Sequence, residues 1–289
     1  ATFVDINNDG WLDLYVGSHL FINNHNLTFS NMAIDVGLSR IFDEGVKFSD
    51  VNNDGMIDLI LYAEHSGPKV FISQKSGMFI EHTTAITENL GTSGENGYSF
   101  FGLNMYDLNN DGFEDMILGK EEGKNTHIFI GENGDFHRIS SPFFLDHKQY
   151  LSNSPSFGDF NQDGKIDFAR RVMDVSEGKD DWMIQIYINE TPTTNSFFTI
   201  ELLDQNGERN QQGRTIELRP YSRPDFVITR IVDSGSGYLN QNQYTLTIGT
   251  PFNEVHFGRA YFSDKVVEFS VSPNQSISIH KDGSVFPTP

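Results

Sequence analysis

Short apolar runs alternate with clusters of Gly, Asn and Asp along most of the chain, and the spacing of an amphipathic helix is nearly absent. The runs at residues 12–16 and 57–61, for example, are rich in Leu, Ile and Val, and each follows a Gly-containing acidic segment. Runs of this kind, bounded by turn-forming residues, are typical of strands joined by tight turns. The sequence therefore predicts an all-β chain.

Four segments align without a gap around an acidic loop of the form D-x-N-x-D-G-x-x-D. We call them loops 1 to 4, and they span residues 5–13, 50–58, 107–115 and 159–167. Their starting points are 45, 57 and 52 residues apart, which is the length of a four-stranded propeller blade and too long for one turn of a β-helix. With a predicted strand on each side of every loop, the repeat predicts a β-propeller with four visible blades.

The repeat also divides the chain. The predicted blades span residues 1–43, 44–98, 99–150 and 151–195, which together make a propeller region at 1–195. A Pro/Thr-rich hinge at 190–196 leads to a predicted small β-domain at 196–289, which has no acidic loop. Because residue 1 lies inside the first repeat, we expect further blades upstream or on another chain, or else a small ring. Open sheet edges tend to associate with other strands.

Each loop carries oxygen donors that suit a hard cation. Ca²⁺ takes about six to eight oxygen ligands, and a tight loop supplies them from alternate positions. The Gly at the sixth position permits the turn that brings both ends of the loop together. The seventh residue varies freely, as expected if only its carbonyl is used. The predicted ligands are Asp5, Asn7, Asp9, the Trp11 carbonyl and Asp13; Asp50, Asn52, Asp54, the Met56 carbonyl and Asp58; Asp107, Asn109, Asp111, the Phe113 carbonyl and Asp115; and Asp159, Asn161, Asp163, the Lys165 carbonyl and Asp167.

Charge favours a cation over a simple turn. Three carboxylates in one loop repel one another unless a cation lies between them. The first, fifth and ninth positions of the loops hold twelve of the 40 acidic residues, and four Ca²⁺ ions would bring the formal net charge from −20 to −12. The alternative is a set of Asp/Asn/Gly-rich hairpin turns that bind no metal. The recurrence of the same pattern in four loops makes this the weaker interpretation. Mg²⁺ is disfavoured because it prefers a few carboxylates and several waters.

The loop differs from an EF-hand. An EF-hand loop ends in a Glu at position twelve and is flanked by helices. Here that position holds Val16, Leu61, Leu118 and Arg170, and the flanks are predicted strands. Without the bidentate Glu we expect an affinity of about 10⁻⁴–10⁻³ M, which is the range of extracellular modules. Such sites would be empty in the cytosol, so we expect a secreted, periplasmic or cell-surface protein.

The loops with their strands resemble FG-GAP/VCBS repeats, the blade unit of integrin-α-type propellers. Residues 27–38 are similar to the blade linker of the cartilage-acidic-protein-like family, whose members end in an ASPIC/UnbV domain. Four stretches resemble that domain: 198–203, 207–216, 235–242 and 255–258. Residues 266–274 keep the Pro of its last strand but lack its Trp and Gly. The resemblance implies a calcium-binding propeller of about seven blades followed by an ASPIC/UnbV domain.

Composition excludes several classes of function. With 20 basic and 40 acidic residues, the chain should repel nucleic acid and anionic membranes. The absence of Cys excludes disulfides, zinc–thiolate sites and Cys nucleophiles. The sequence contains no apolar stretch of about 18 residues, so it predicts no membrane-spanning helix.

No catalytic motif accompanies the loops. The G-x-S-x-G and H-E-x-x-H patterns and phosphate-binding Gly loops are absent. His19, His65, His127 and His256 have no fixed spacing, so we interpret them as structural. We therefore expect a non-enzymatic binding or adhesion module for a protein or glycan on a cell surface or matrix, rigidified by Ca²⁺. Two alternatives remain: a propeller enzyme acting on polysaccharide, and a structural subunit of a surface assembly or filament.

Overall fold

The computed structural model describes residues 1–38, 45–63, 67–83, 85–86, 100–120, 127–139, 150–152, 155–174, 181–233 and 241–288. These residues contain no helix, and their strands form six four-stranded sheets. The prediction of an all-β chain is confirmed. It follows that none of the described residues belongs to a helix that could cross a membrane.

The first three sheets are antiparallel meanders with their strands in chain order. Blade 1 contains β1 (Thr2–Val4), β2 (Asp13–Val16), β3 (His19–Asn23) and β4 (Phe29–Asn31). Blade 2 contains β5 (Gly45–Ser49), β6 (Asp58–Ala63), β7 (Gly67–Ser73) and β8 (Phe79–Glu81). Blade 3 contains β9 (Phe100–Tyr106), β10 (Asp115–Lys120), β11 (His127–Glu132) and β12 (Asp135–Ile139). In these three blades the acidic loop joins the first and second strands.

Blade 4 is built differently. Its strands are β13 (Tyr150–Ser152), β14 (Ser156–Gly158), β15 (Asp167–Asp174) and β16 (Asp181–Tyr187). Both β13 and β14 pair with one side of β15, and β16 pairs with its other side. Within the described residues, blade 4 therefore has no strand outside β16. The predicted boundary at 150/151 falls within β13, and those at 43/44 and 98/99 lie outside the described residues.

Consecutive blades pack face to face because their strands bury both faces. In β6, Leu59 and Leu61 belong to the apolar cluster shared with blade 1, whereas Ile60 and Tyr62 belong to the cluster shared with blade 3. A further cluster, which includes Ile117 and Phe157, joins blades 3 and 4. This two-residue alternation is the period of a strand. No apolar cluster of described residues joins blade 4 to blade 1.

The C-terminal residues form a domain of two sheets around one core. The strand order of one sheet is β20-β17-β23-β24, and that of the other is β19-β18-β21-β22. The strands are β17 (Ser196–Leu203), β18 (Thr215–Pro220), β19 (Ile228–Ile231), β20 (Leu246–Thr250), β21 (His256–Tyr261), β22 (Val266–Val271), β23 (Gln275–His280) and β24 (Val285–Pro287). β17 and β23 are parallel, and the other pairs are antiparallel. Phe198, Ile200, Ile216 and Ile228 are fully buried in the shared core.

Candidate metal centres

The four acidic loops share one backbone conformation. In loop 1 the carboxylate of Asp5 accepts hydrogen bonds from the backbone N–H groups of Asp9 (3.0 Å) and Gly10 (2.9 Å). The first Asp of the other loops accepts the same two bonds at 2.9 to 3.1 Å. The first carboxylate therefore closes each loop onto its own fifth and sixth residues.

The third and fifth side chains brace the turn. Asn7 Oδ1 accepts from Asp9 N at 3.1 Å, and Asp9 Oδ1 accepts from Trp11 N at 2.8 Å. The Asn7 amide also donates to Asp9 Oδ2 at 2.9 Å. All three bonds recur in loops 2, 3 and 4. These local bonds explain why the sequence pattern repeats at alternate positions.

The last Asp of each loop ties it to the rest of the blade. Asp13 Oδ2 accepts from Ile6 N at 3.2 Å, and its Oδ1 accepts from Asn23 N at the end of β3, at 2.8 Å. Asp58, Asp115 and Asp167 make the equivalent pairs of bonds. Sequence reasoning assigned these residues to metal binding alone and missed this second role.

Two positions in every loop have positive φ. The sixth residue is Gly, with φ between 81° and 92°. The fourth is Asn8, Asn53, Asn110 or Gln162, with φ between 54° and 61°. Asn tolerates the left-handed region better than most residues. A side-chain amide at the fourth position of all four loops was a visible signal, which sequence reasoning left unused.

Burial and mutual repulsion dominate the electrostatics of the loops. Asp50, Asp58 and Asp115 are fully buried. Burial raises the pKa of Asp13 to about 6 and that of Asp58 to about 7. It also raises the pKa values of Asp50 and Asp115 well above their usual range, and the facing carboxylates, Asp58 and Asp107 respectively, add to the rise. A positive charge placed between these carboxylates would keep them ionised at lower cost.

The donor chemistry of each loop fits a hard cation, but the side chains do not converge on a single point. In the described part of the chain, no group of three or more His, Cys, Asp or Glu side chains is arranged to hold a metal ion as it stands. The carboxylate oxygens instead accept hydrogen bonds from groups of their own loop and, at the ninth position, from the third strand of the blade. An ion would have to draw these oxygens inward, so the ligand set remains a prediction.

The C-terminal domain contacts all four loops, which the sequence did not reveal. Backbone bonds join Asp5 N to Gly213 O (3.2 Å) in loop 1 and Val227 N to Asn53 O (3.0 Å) in loop 2. Arg230 Nη2 donates to Gly112 O of loop 3 at 2.9 Å. The remaining contact, at loop 4, is a bond from Asp159 N to Gln243 Oε1 at 3.2 Å.

Fourth-position amides also join neighbouring loops. Asn53 Nδ2 donates to Gly112 O of loop 3, and Asn110 Nδ2 donates to Gly164 O of loop 4, both at 3.0 Å. Asn8 instead accepts a bond from Thr215 Oγ1 of the C-terminal domain at 2.9 Å. Loops 2, 3 and 4 therefore form a connected row, and loop 1 is held by the C-terminal domain.

A cavity of about 270 Å³ lies between the first strands of blades 1 to 3 and the C-terminal domain. The charged groups in its wall are paired: Lys47 with Asp233, and Arg230 with Glu114 at 3.6 Å. Ser49 also donates to Glu114. The pairing of these groups gives the wall little net charge.

The described histidines are not brought together. His19 lies in β3, His127 in β11 and His256 in β21. His256 is fully buried and hydrogen-bonded to Thr250 and Glu254. His65 lies outside the described residues.

Comparison with known proteins gives one family. A family model described as FG-GAP-like repeat matches the chain three times, over residues 5–61, 50–118 and 107–169. Each match runs from one acidic loop to just beyond the next. No curated protein matches the chain.

Six chains of solved structures match as well. One is a lectin of Agrocybe aegerita whose structure concerns specific recognition of non-reducing terminal N-acetylglucosamine. It is 20% identical, with a TM-score of 0.40, and the alignment covers 65% of this chain and 52% of the lectin chain. The chain therefore spans about half the length of that lectin.

Proposed function

This chain belongs to the FG-GAP-like repeat family, and we propose that it is a calcium-binding β-propeller module that acts by binding a partner. The observation that carries the proposal is one all-oxygen loop, with the same internal hydrogen bonds, in four consecutive blades. We also propose that residues 196–289 are an ASPIC/UnbV-like domain of the cartilage-acidic-protein-like type. The partner would be a protein or glycan on a cell surface or matrix.

Each loop would hold one Ca²⁺ through its first, fifth and ninth carboxylates, its third amide oxygen and its seventh carbonyl. The bound ion supplies positive charge between carboxylates that otherwise repel one another. Hydrogen bonds from the loop then transmit this ordering to neighbouring parts of the propeller. Asp58 links loop 2 to Ser73 at the end of β7, and Asn53 links loop 2 to loop 3. Ordering of one loop would therefore stiffen its own blade and the next.

The loops are less available to a large partner because the C-terminal domain contacts each of them. Antiparallel strands place successive connections at alternate ends of a blade. The proposed binding surface is the end of the blades away from the loops, where the turn at residues 17–18 of blade 1 lies. An affinity of about 10⁻⁴–10⁻³ M would fill the loops only outside the cytosol, which supports a secreted, periplasmic or cell-surface location.

Thermal unfolding in 5 mM CaCl₂ and in EGTA tests the calcium proposal. At the proposed affinity, each filled loop adds about 1–2 kcal/mol to the free energy of unfolding. For a chain of this size we expect a rise in Tm of roughly 10 °C, and a smaller rise with 5 mM MgCl₂. Asp58→Asn should reduce the calcium-dependent rise, whereas Asp35→Asn, at an exposed position outside the loops, should leave it intact. An unchanged Tm in the wild type would sink the proposal.

A second candidate function is that of a subunit in a surface assembly, and the open face of blade 4 favours it. In blades 1 to 3 an aliphatic side chain of the third strand packs against the next blade: Leu20, Val70 and Ile128 are 1, 1 and 5% exposed. Ile186 occupies the equivalent position in β16 and is 63% exposed. Ile184, two residues earlier, is 74% exposed.

Blade 1 offers the complementary face. Phe3 is 55% exposed, whereas Phe48, Met105 and Phe157, at the same position in blades 2 to 4, are 6, 4 and 2% exposed. Blade 4 of one copy would therefore cover Phe3 of a second copy, and both would continue the packing used between blades.

Particle mass by light scattering over a range of concentrations tests this second candidate. We expect the mass of the wild type to grow with concentration, and Ile186→Lys to remain at the mass of a single chain. Ile80→Lys is the matched control, because Ile80 is 57% exposed on β8, away from both open faces. A wild type that stays monomeric at every concentration excludes assembly by this surface.

A further inference from the structure

The four acidic loops have the same sequence pattern, but the C-terminal domain places different chemistry against each of them. Two loops receive an arginine of that domain, and two do not. A guanidinium is always charged and strongly affects any cation bound nearby. The loops should therefore differ as cation sites although their patterns are the same.

Loop 3 receives Arg230, whose side chain is 5% exposed. Its Nη2 donates to Gly112 O at 2.9 Å and lies 3.9 Å from Asp107 Oδ2. Its Nε lies 3.6 Å from Glu114 Oε1. One positive charge therefore already faces the first carboxylate of loop 3.

Loop 1 receives Arg214, whose Nη1 donates to Gly10 O at 2.7 Å. The charge of this arginine acts on Asp5, Asp264 and Asp9. His25 Nε2 also lies 2.9 Å from Asp9 Oδ2. Loop 1 is thus partly neutralised by the C-terminal domain, and a side chain of its own blade hydrogen-bonds to its fifth carboxylate.

Loop 2 is the nearest comparison for loop 3, which differs from it by Arg230 and by a fourth carboxylate, Glu114, that lies 3.6 Å from Arg230. Its first and last carboxylates, Asp50 and Asp58, are fully buried, as closely as those of loop 3. The C-terminal contacts at loop 2 are neutral: Val227 N donates to Asn53 O, and the Thr229 hydroxyl lies beside Asp50.

Two buried oxygens at loop 2, one in the loop and one in the adjacent C-terminal domain, are available to bind a ligand. Among the described residues, the side-chain oxygens Asn53 Oδ1 and Thr229 Oγ1 are buried and have no hydrogen-bond partner. Both residues are at most 3% exposed. Thr229 faces the Asp50 carboxylate without reaching a well-formed bond. Buried polar atoms of this kind are normally satisfied by water or an ion.

Loop 4 lies between these cases. Its contacts with the C-terminal domain come from Gln243 and from the ring of Phe197 against Gly164, which are both neutral. Its own Lys165 lies 4.0 Å from Asp163, and both side chains are partly exposed. An exposed pair of this kind is screened by solvent and contributes little.

We propose that the C-terminal domain sets the cation affinity of the acidic loops, so that loop 2 binds a divalent cation most tightly and Arg230 and Arg214 weaken loops 3 and 1. The proposal rests on the calcium function proposed above. The guanidinium acts as an internal counter-charge: it lowers the repulsion in the loop without an ion and repels an ion that enters. The expected difference in affinity between loops 2 and 3 is about tenfold.

Terbium luminescence can report one loop at a time. Tb³⁺ is an oxygen-seeking ion of similar size to Ca²⁺, and a nearby Trp sensitises its emission. Trp11 occupies the seventh position of loop 1, and the other Trp, Trp182, lies in β16. The seventh side chain is not a proposed ligand. The double variant Trp11→Phe/Met56→Trp reports ion binding at loop 2. The double variant Trp11→Phe/Phe113→Trp reports ion binding at loop 3. Competition with Ca²⁺ then gives the affinity of each loop.

We expect loop 2 to bind Ca²⁺ about tenfold more tightly than loop 3. Arg230→Met should tighten loop 3 by about tenfold and leave loop 1 unchanged, and Arg214→Met should do the reverse. Arg219→Met is the matched control, because Arg219 pairs with Glu217 and bonds to Pro224 O within the C-terminal domain. It should change neither loop.

The outcomes separate the two proposals. Wild-type protein that binds neither Tb³⁺ nor Ca²⁺ at millimolar concentration defeats the calcium function itself. Binding with equal affinities in all loops, or arginine variants that leave their loop unchanged or weaken it, overturns only the role of the C-terminal domain. If Arg230→Met does not fold, the loop 1 variant and the comparison of wild-type loops decide the proposal.

Discussion

Single side chains in this protein combine structural and chemical roles. Asp13 and its three equivalents use both carboxylate oxygens to accept backbone N–H groups, one in the loop and one at the end of the third strand. Hydrogen bonds to a carboxylate are stronger than those between neutral groups. The ninth Asp therefore ties its loop to the third strand of the blade through its own hydrogen bonds.

His256 gives a pH dependence that is independent of the loops. It is fully buried, its Nδ1 donates to Glu254 O at 2.9 Å, and its Nε2 accepts from Thr250 Oγ1 at 3.0 Å. Burial lowers the pKa of His256 below its usual value of 6.5. The unfolded chain thus binds a proton first as the pH falls. The stabilisation is complete above about pH 6.5 and is lost below it, by at most about 1.4 kcal/mol per pH unit.

Urea unfolding at pH 7.5, 6.5 and 5.5, with a constant excess of Ca²⁺, measures this loss. The control is His256→Gln, which keeps a donor and an acceptor but does not titrate. It should be less stable at pH 7.5 and lose less stability on acidification than the wild type. Equal losses in the two proteins would assign the pH dependence to other groups.

At the scale of the element, the hairpin that carries each acidic loop is also where the C-terminal domain contacts the blade. The sixth residue, Gly, has positive φ in each loop, and in loop 4 a Cβ on Gly164 would overlap the ring of Phe197. The same Gly thus satisfies the turn and permits close approach of a second domain. The sequence indicated the first reason only.

Gly164→Ala should therefore lower the free energy of unfolding by more than backbone strain alone would. Gly77→Ala is the matched control, since Gly77 has φ of 82° against 81° for Gly164 and open space around its Cβ position. We expect each substitution to lose about 1 kcal/mol through left-handed strain, and Gly164→Ala to lose roughly 1–3 kcal/mol more through overlap with Phe197. Chemical denaturation of both variants gives the difference. Equal losses would mean that Phe197 moves aside freely.

At the scale of the whole molecule, contacts between domains should make unfolding cooperative. The C-terminal domain bonds to every acidic loop, and the Arg230 side chain that reaches loop 3 is buried. Separation of the two parts would break the contacts with all four loops together. We expect the blades and the C-terminal domain to unfold in one transition.

Tryptophan fluorescence can follow the two parts separately. Both natural Trp residues, Trp11 and Trp182, lie in the blades, so wild-type fluorescence reports only the blades. Phe257→Trp, at a half-exposed position in β21, reports the C-terminal domain when Trp11 and Trp182 are replaced by Phe. The two midpoints should agree within about 2 °C. Midpoints that clearly differ would show that the C-terminal domain leaves the loops before the blades unfold.

The sequence by itself determined what depends on neighbours along the chain. The apolar run at 57–61, next to a turn-forming acidic segment, predicted a strand, and the loop pattern predicted the repeating blades. Both are local, because the hydrogen bonds that the first and ninth carboxylates accept within their own blade span at most 22 residues along the chain. Physical chemistry at that range is visible in spacing and residue type.

The tertiary structure alone decided how the loops differ. Arg230 lies 118 residues from Gly112, and Arg214 lies 204 residues from Gly10. No periodicity marks such contacts, since they depend on how two separately folded sheets pack against a row of turns. The exposure of Ile186 is decided in the same way, because its position in β16 matches that of buried residues in other blades. Only the absence of a neighbouring sheet among the described residues leaves it exposed to solvent.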